Sequence, residues 1–319
     1  MLPYMPLNPD AKDFLQTVAR APSKPLAETS VAEMREAVDA LVPFGFEREE
    51  VAGVQDMVVG GVRVRRYVPD AESLGTLVYV HGGSFMRCGL DTHDTLCRRL
   101  ANRSGCTTLA VDFTLAPEAT YPEQLDEIGG VIEALIREDP TGKIFLGGES
   151  SGGCIAAATA LRLRDNGRTT LGGLVLLLPL LDRDSGTASR HDLINGYGLS
   201  NDQMQWMFHL YAPRASDSDY LVYPFRAPDL SGMPPTIVVT AEFDPLRDEG
   251  KAFADRVEAA GAHVDYECIP GVIHHAVLVP KKIPAGSSVI DTAATFLRKL
   301  ASPDPFNDTE KPSGDEVRS

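Results

Sequence analysis

Short apolar runs recur along the chain at residues 77–80, 107–113, 144–146, 174–181, 237–240 and 264–269, rich in Val, Leu and Ile without strict alternation. That is the pattern of strands covered on both faces. Between them the apolar positions switch to helical spacing. Leu125, Ile128, Val131, Ile132, Leu135 and Ile136 repeat at three and four, Leu246, Phe253 and Val257 do so less densely, and Val289, Ala293, Phe296, Leu297 and Leu300 close the series. Strand, helix and strand in repetition predict a mostly parallel sheet with helices on both faces, an α/β architecture. Two further segments, 54–59 and 62–68, flank Gly60-Gly61 and predict a hairpin at one edge of that sheet, which makes eight strands.

Two stretches fall outside the alternation. Within the first 45 or so residues, Ser30 and Glu33 have the spacing of a capping box and predict a helix reaching Val42. The stretch between Leu181 and Pro235 is too long for an ordinary strand connection and carries a second capping signal, Ser200 with Gln203, ahead of Met204, Met207, Phe208 and Tyr211. The expected organisation is amino-terminal cap helices over 1–46, a core in two parts over 47–181 and 214–302, and a cap insertion over 182–213. The stretch 303–319 holds almost no apolar residues, and its composition is that of a disordered tail.

Composition narrows the function classes. The chain has 319 residues, of which 43% are hydrophobic and 24% charged, as in ordinary globular proteins. Its formal net charge of −15 repels phosphate backbones, anionic lipid heads and other anions, so neither nucleic acid nor membrane is an expected partner. Met1 to Phe14 has no basic segment ahead of an apolar run, and five cysteines without CxxC spacing fit reduced thiols, so the expected location is the cytoplasm.

The candidate chemistry begins at Gly148-Glu149-Ser150-Ser151-Gly152, a G-x-S-x-G pattern between the strand at 144–146 and a helix of small residues. Glycines on both sides of a serine permit a tight strand-to-helix turn that lifts the hydroxyl above the sheet. A serine hydroxyl needs a base, and the base needs an orienting carboxylate. Asp244 follows the strand at 237–240, and His274 follows the strand at 264–269, so both fall at the sheet edge where Ser150 lies. Glu242 and Asp248 rival Asp244, and His275 rivals His274. A tetrahedral intermediate also needs backbone donors, and His81-Gly82-Gly83-Ser84-Phe85 follows the strand at 77–80. Gly82 and Gly83, with the N–H of Ser151, are the expected oxyanion hole.

As an ordered set, HGGSF at 81–85, LDTHD at 90–94, VDFTLAPEATYPEQLDE at 111–127, GESSGG at 148–153, AEFDPLRDEG at 241–250 and PGVIHH at 270–275 resemble the hormone-sensitive-lipase-like group of α/β-hydrolases, the bacterial family IV esterases. Within it the chain is similar to bacterial acetyl esterases and short-chain carboxylesterases. The resemblance implies the α/β-hydrolase fold with a helical cap, Ser150 as nucleophile, His274 as base, Asp244 as its orienter and Gly82, Gly83 and Ser151 as oxyanion donors. The chain departs from the group at Ser84 for the third glycine, Glu149 for Asp, Ser151 for Ala and His275 for Gly.

The expected activity is hydrolysis of acetyl to hexanoyl esters of small molecules through an acyl-enzyme, with no cofactor and no metal, since the histidines show no ligand spacing. Phe85, Tyr197, Trp206, Phe208, Tyr211 and His275 are the candidate substrate contacts. Cys88 is expected to sense alkylating reagents, and Cys154 to be a core thiol. Two alternatives are a deacetylase or amidase acting on an acylated small molecule, and, more remotely, a non-catalytic ligand receptor of the same fold. Relatives of this kind form dimers and tetramers, so a homodimer is compatible with the resemblance, although no run of residues marks an interface.

Overall fold

The computed structural model describes residues 6–21, 24–167 and 171–302. Eight strands form one sheet in the order β1-β2-β4-β3-β5-β6-β7-β8. The strands are β1 (Gly53–Val59), β2 (Val62–Val68), β3 (Thr76–Val80), β4 (Thr107–Val111), β5 (Ile144–Glu149), β6 (Gly173–Leu177), β7 (Thr236–Phe243) and β8 (Val264–Ile273). β1 and β2 pair antiparallel around Gly60-Gly61, β2 pairs antiparallel with β4, and every other neighbour is parallel. The helices are α1 (Pro9–Arg20), α2 (Val31–Asp39), α3 (Asp94–Ser104), α4 (Glu123–Glu138), α5 (Ser151–Asp165), α6 (Ala188–Asp192), α7 (Asn201–Tyr211), α8 (Arg247–Ala259) and α9 (Ser287–Ala301).

The runs without alternation have their expected cause. Val78, Val80, Leu146, Leu174, Leu176 and Val238 point into a core shared with α4, α5, α7 and α8. Leu77, Tyr79, Phe145, Val175, Leu177 and Val239 point the other way, into a core shared with α3 and α9. Both faces are covered, so neither parity of position can be polar. The two expected capping boxes form, at Ser30 with Glu33 and at Ser200 with Gln203. The helix begun at Ser30 stops at Asp39, short of the expected Val42, which instead opens a single 3₁₀ turn. Among the cap helices expected over 1–46, only the one from Ser30 has a sequence signal for its start; α1 carries only Phe14, Leu15 and Val18 as large apolar positions, and its start is set by Asn8, whose side chain accepts from the N–H groups of Asp10 and Ala11. The disordered-tail expectation for 303–319 falls outside the described residues.

β3 sits between β4 and β5, so successive crossovers leave it on opposite sides. In a parallel sheet the loops beyond the carboxyl ends of strands flanking such a switch point are where ligands bind. No helix among the described residues is long and apolar enough to cross a membrane.

Candidate active site

β5 ends at Glu149 and α5 begins at Ser151, leaving Ser150 in the turn with φ +54°. A non-glycine residue held there costs on the order of 1–3 kcal/mol, which the surroundings must offset. Backbone does so. The Ser150 N–H donates to Leu177 O at 2.9 Å, while the N–H groups of Cys154 and Leu180 both donate to Ser150 O at 3.1 Å. Gly152 lets α5 begin against the end of β3, because a Cβ at 152 would stand 2.1 Å from the Val80 carbonyl oxygen.

The carboxyl ends of β7 and β8 bring the other two groups. The β7–β8 register slips between Ala241 and Phe243, and the chain then turns so that Asp244, fully buried, faces His274 just beyond β8. Asp244 Oδ2 lies 2.7 Å from His274 Nδ1, and His274 Nε2 lies 3.0 Å from Ser150 Oγ. Asp244 Oδ1 accepts from the Leu246 N–H at 2.9 Å, which fixes the carboxylate plane. A carboxylate at Nδ1 assigns the proton to that nitrogen and leaves the Nε2 lone pair toward the serine.

The rivals point elsewhere. Glu242 accepts from the Gly271 N–H at 2.6 Å, and Asp248 from the Ser189 N–H at 2.7 Å. The His275 ring meets the His274 ring edge-on at 5.5 Å. Burial, aided by the fields of His274 and Arg87, holds His275 down to about 3, so it is neutral.

The oxyanion expectation needs one correction. Glu149, directly before the serine and itself buried, takes the Gly82 N–H on Oε1 together with His93 Nε2 at 2.7 Å, and takes the Tyr79 hydroxyl on Oε2. Burial pushes this carboxyl up, but His93, Tyr79 and Gly82 outweigh it and hold the group below its ordinary value. With its N–H committed to Glu149, Gly82 cannot donate to a reacting oxygen. Among the described residues the N–H groups of Gly83 and Ser84 have no partner, and both residues line the cavity above Ser150. Ser84 has φ +59°, in the left-handed region. Ser151 opens α5, where first-turn N–H groups lack helical acceptors.

That cavity, of about 390 Å³, is walled by α1 (Phe14, Leu15, Val18), α2 (Ala37, Val38) and α7 (Met204, Met207), with Leu178, Leu199 and Leu246 at the sheet edge. Of the six expected substrate contacts, His275 lines it. The other five, Phe85, Tyr197, Trp206, Phe208 and Tyr211, do not line it. Phe85 stacks on Tyr211 with ring centroids 4.1 Å apart, and Phe208 joins them at 5.2 Å, so these three form a buried cluster beneath the loop. Tyr197 stacks on Phe243, and Trp206 packs on the outer side of α7. Helical spacing put aromatic residues on one helix, but the unbranched Met204 and Met207 face the cavity. Cys154 is a buried core thiol as expected. Cys88 does line the cavity, but burial pushes its thiol up to about 12, which removes the thiolate that alkylation needs. Among the described residues no three His, Cys, Asp or Glu side chains gather as metal ligands.

Known proteins resemble this chain over most of its length. A family model described as alpha/beta hydrolase fold matches residues 77–278. An arylesterase of Saccharolobus solfataricus is 31% identical over 282 residues, covering 85% of this chain and 92% of the relative. The carboxylesterase NlhH of Mycobacterium tuberculosis is 32% identical over 250 residues, covering 75% and 78%. An ester-hydrolase from the Lake Arreo metagenome superposes with a TM-score of 0.84 at 34% identity, covering 92% of this chain and 98% of that one. The chain therefore belongs to the α/β-hydrolases, in their hormone-sensitive-lipase-like branch, and is a carboxylic ester hydrolase.

Proposed function

We propose that the chain hydrolyses short acyl esters, acetyl to hexanoyl, through an acyl-enzyme on Ser150. The observation that carries this is the hydrogen-bond chain from Ser150 Oγ through His274 to Asp244, at 3.0 and 2.7 Å. His274 Nε2 takes the hydroxyl proton as Oγ attacks the ester carbonyl, and Asp244 steadies the imidazolium that forms. The N–H groups of Gly83, Ser84 and Ser151 stabilise the oxyanion. The alcohol leaves with the proton from His274, and water then repeats both steps to release the acid. A cavity of about 390 Å³ is near the small end of the ~300–1,000 Å³ usual for ligand sites, which supports a short acyl chain. We assign the described residues of 1–46, with 182–213, to a cap, because α1, α2 and α7 together roof the serine. The cysteines are unpaired thiols, which supports a reducing cytoplasm as the location.

The test is hydrolysis of p-nitrophenyl acetate, butyrate, octanoate and palmitate by the wild type and Ser150→Ala. Turnover that falls with chain length and vanishes in the folded variant is the expected result. Equal turnover of palmitate would refute the chain-length range, and an active Ser150→Ala would refute the nucleophile.

A further inference from the structure

Arg87 is the unusual group in this cavity. It lines the same space as Ser150, Ser84, His274 and His275. Its Nη2 lies 3.4 Å from Ser84 Oγ, at the edge of hydrogen-bond reach, and its Nε is buried without any partner among the described residues. Other half-buried or buried arginines have partners for the guanidinium: Arg65 holds Asp56 and Asp91, Arg98 holds Asp94, Arg190 holds Glu249, and Arg256 donates to the Phe225 and Ala227 carbonyls. Arg87 makes no ion pair among the described residues. Glu149 is spoken for by Gly82, His93 and Tyr79, and Asp39, close enough to raise the Cys88 thiol, forms no bond to the guanidinium. Burial pulls the Arg87 guanidinium below its ordinary value, but an arginine stays charged throughout the physiological range. A partly desolvated cation with open donors and no counter-ion is an unfavourable arrangement for folding alone, because the lost hydration has no replacement. A planar fork of N–H groups is complementary to a carboxylate.

We propose that the preferred substrate is a small ester bearing a free carboxylate, which Arg87 binds while Ser150 attacks the ester carbonyl. This deepens the esterase reading above and rests on it. Ser84 joins the two sites: its N–H is one of the proposed oxyanion donors, and its Oγ lies 3.4 Å from the guanidinium. The carboxylate must therefore lie a few bonds from the scissile carbonyl, either on a short acyl chain or on the α-carbon of the alcohol. A net charge of −15 opposes anions at long range, but at 0.15 M salt that field is screened beyond ~8 Å, whereas Arg87 acts at contact.

Two matched pairs test this in a pH-stat: methyl butyrate against monomethyl succinate, with the carboxylate on the acyl side, and isopropyl acetate against 2-acetoxypropanoate, with the carboxylate on the alcohol side. The quantity read is the ratio of kcat/KM, anionic over neutral, in wild type, Arg87→Met and Arg87→Lys. A charge-assisted contact should lower that ratio by about ten- to a hundred-fold in Arg87→Met for at least one pair, with partial recovery in Arg87→Lys. The responsive pair identifies the side that carries the carboxylate. A ratio unchanged in both pairs, with anionic and neutral esters slowed alike, would overturn the proposal and give Arg87 a packing role. Should the wild type turn over no ester at all, the esterase reading falls separately. Arg87 is then judged by calorimetry, with monomethyl succinate and 2-acetoxypropanoate titrated into Ser150→Ala and Ser150→Ala/Arg87→Met. Binding that is absent, or that is equal in the two, overturns the proposal.

Discussion

Asp244→Asn offers a sharp test of the proposed mechanism, because the surroundings of Asp244 dictate how an amide must sit. Asp244 is fully buried, with Oδ1 on the Leu246 N–H at 2.9 Å and Oδ2 on His274 Nδ1 at 2.7 Å. An asparagine there keeps its oxygen toward Leu246, which places the amide NH₂ against His274 Nδ1. That nitrogen must then accept, the ring proton moves to Nε2, and the base points a donor at Ser150. Flipping the amide restores an acceptor to the histidine, but it sets an NH₂ against the Leu246 N–H, a buried unsatisfied pair worth about 1–3 kcal/mol. The flip alone therefore leaves a loss of roughly ten- to a hundred-fold, and the missing negative charge beside the imidazolium adds to it. The expected total is about 10⁴-fold in kcat, roughly 5 kcal/mol, as for triads of the same geometry. The assay is kcat on p-nitrophenyl butyrate with a thermal melt run alongside. A folded variant within tenfold of wild type would refute the orienting role of Asp244.

Two further perturbations probe the surroundings of the site. Glu149 is held below its ordinary value of 4.5, so its ionised form stabilises the fold above that value and the contribution is lost as pH falls through the lowered one. The stability gap between wild type and Glu149→Gln should be full at pH 7 and narrow under acid. Urea midpoints taken from pH 7 to well below the ordinary value of 4.5 measure it, and a gap independent of pH would contradict the assignment. Phe85→Ala removes one partner of the stack with Tyr211 and should cost about 3–5 kcal/mol of stability while shifting the KM for p-nitrophenyl butyrate little. A large KM change with an unaltered urea midpoint would return Phe85 to the cavity wall.

The sheet was legible because its signal is redundant: six doubly covered strands each show it separately, and Gly60-Gly61 marks the one hairpin. Ser150, Asp244 and His274 were legible because strand order alone delivers three loops to one edge. α1 was not, since three apolar positions and an Asn8 cap fall below the strength of a periodic pattern. The Gly82 assignment failed for a different reason. The glycines at 82 and 83 are equivalent as sequence, and what separates them is the Glu149 carboxylate, which reaches back from the neighbouring strand β5 to take the N–H of the first. Likewise nothing in the order of residues says that Phe85 turns down onto Tyr211 while Arg87, two positions on, turns up toward the serine.

The close approach at Gly152 has a consequence for how such a protein diversifies. The turn that carries Ser150 is gauged against the end of β3 by main-chain atoms, with Gly152 set directly on the Val80 and His81 carbonyls. The cavity walls come from α1, α2 and α7, which lie outside that contact. Mutation can thus reshape the chamber without retuning the reactive centre, so inherited drift in the walls changes the clientele while the chemistry is kept.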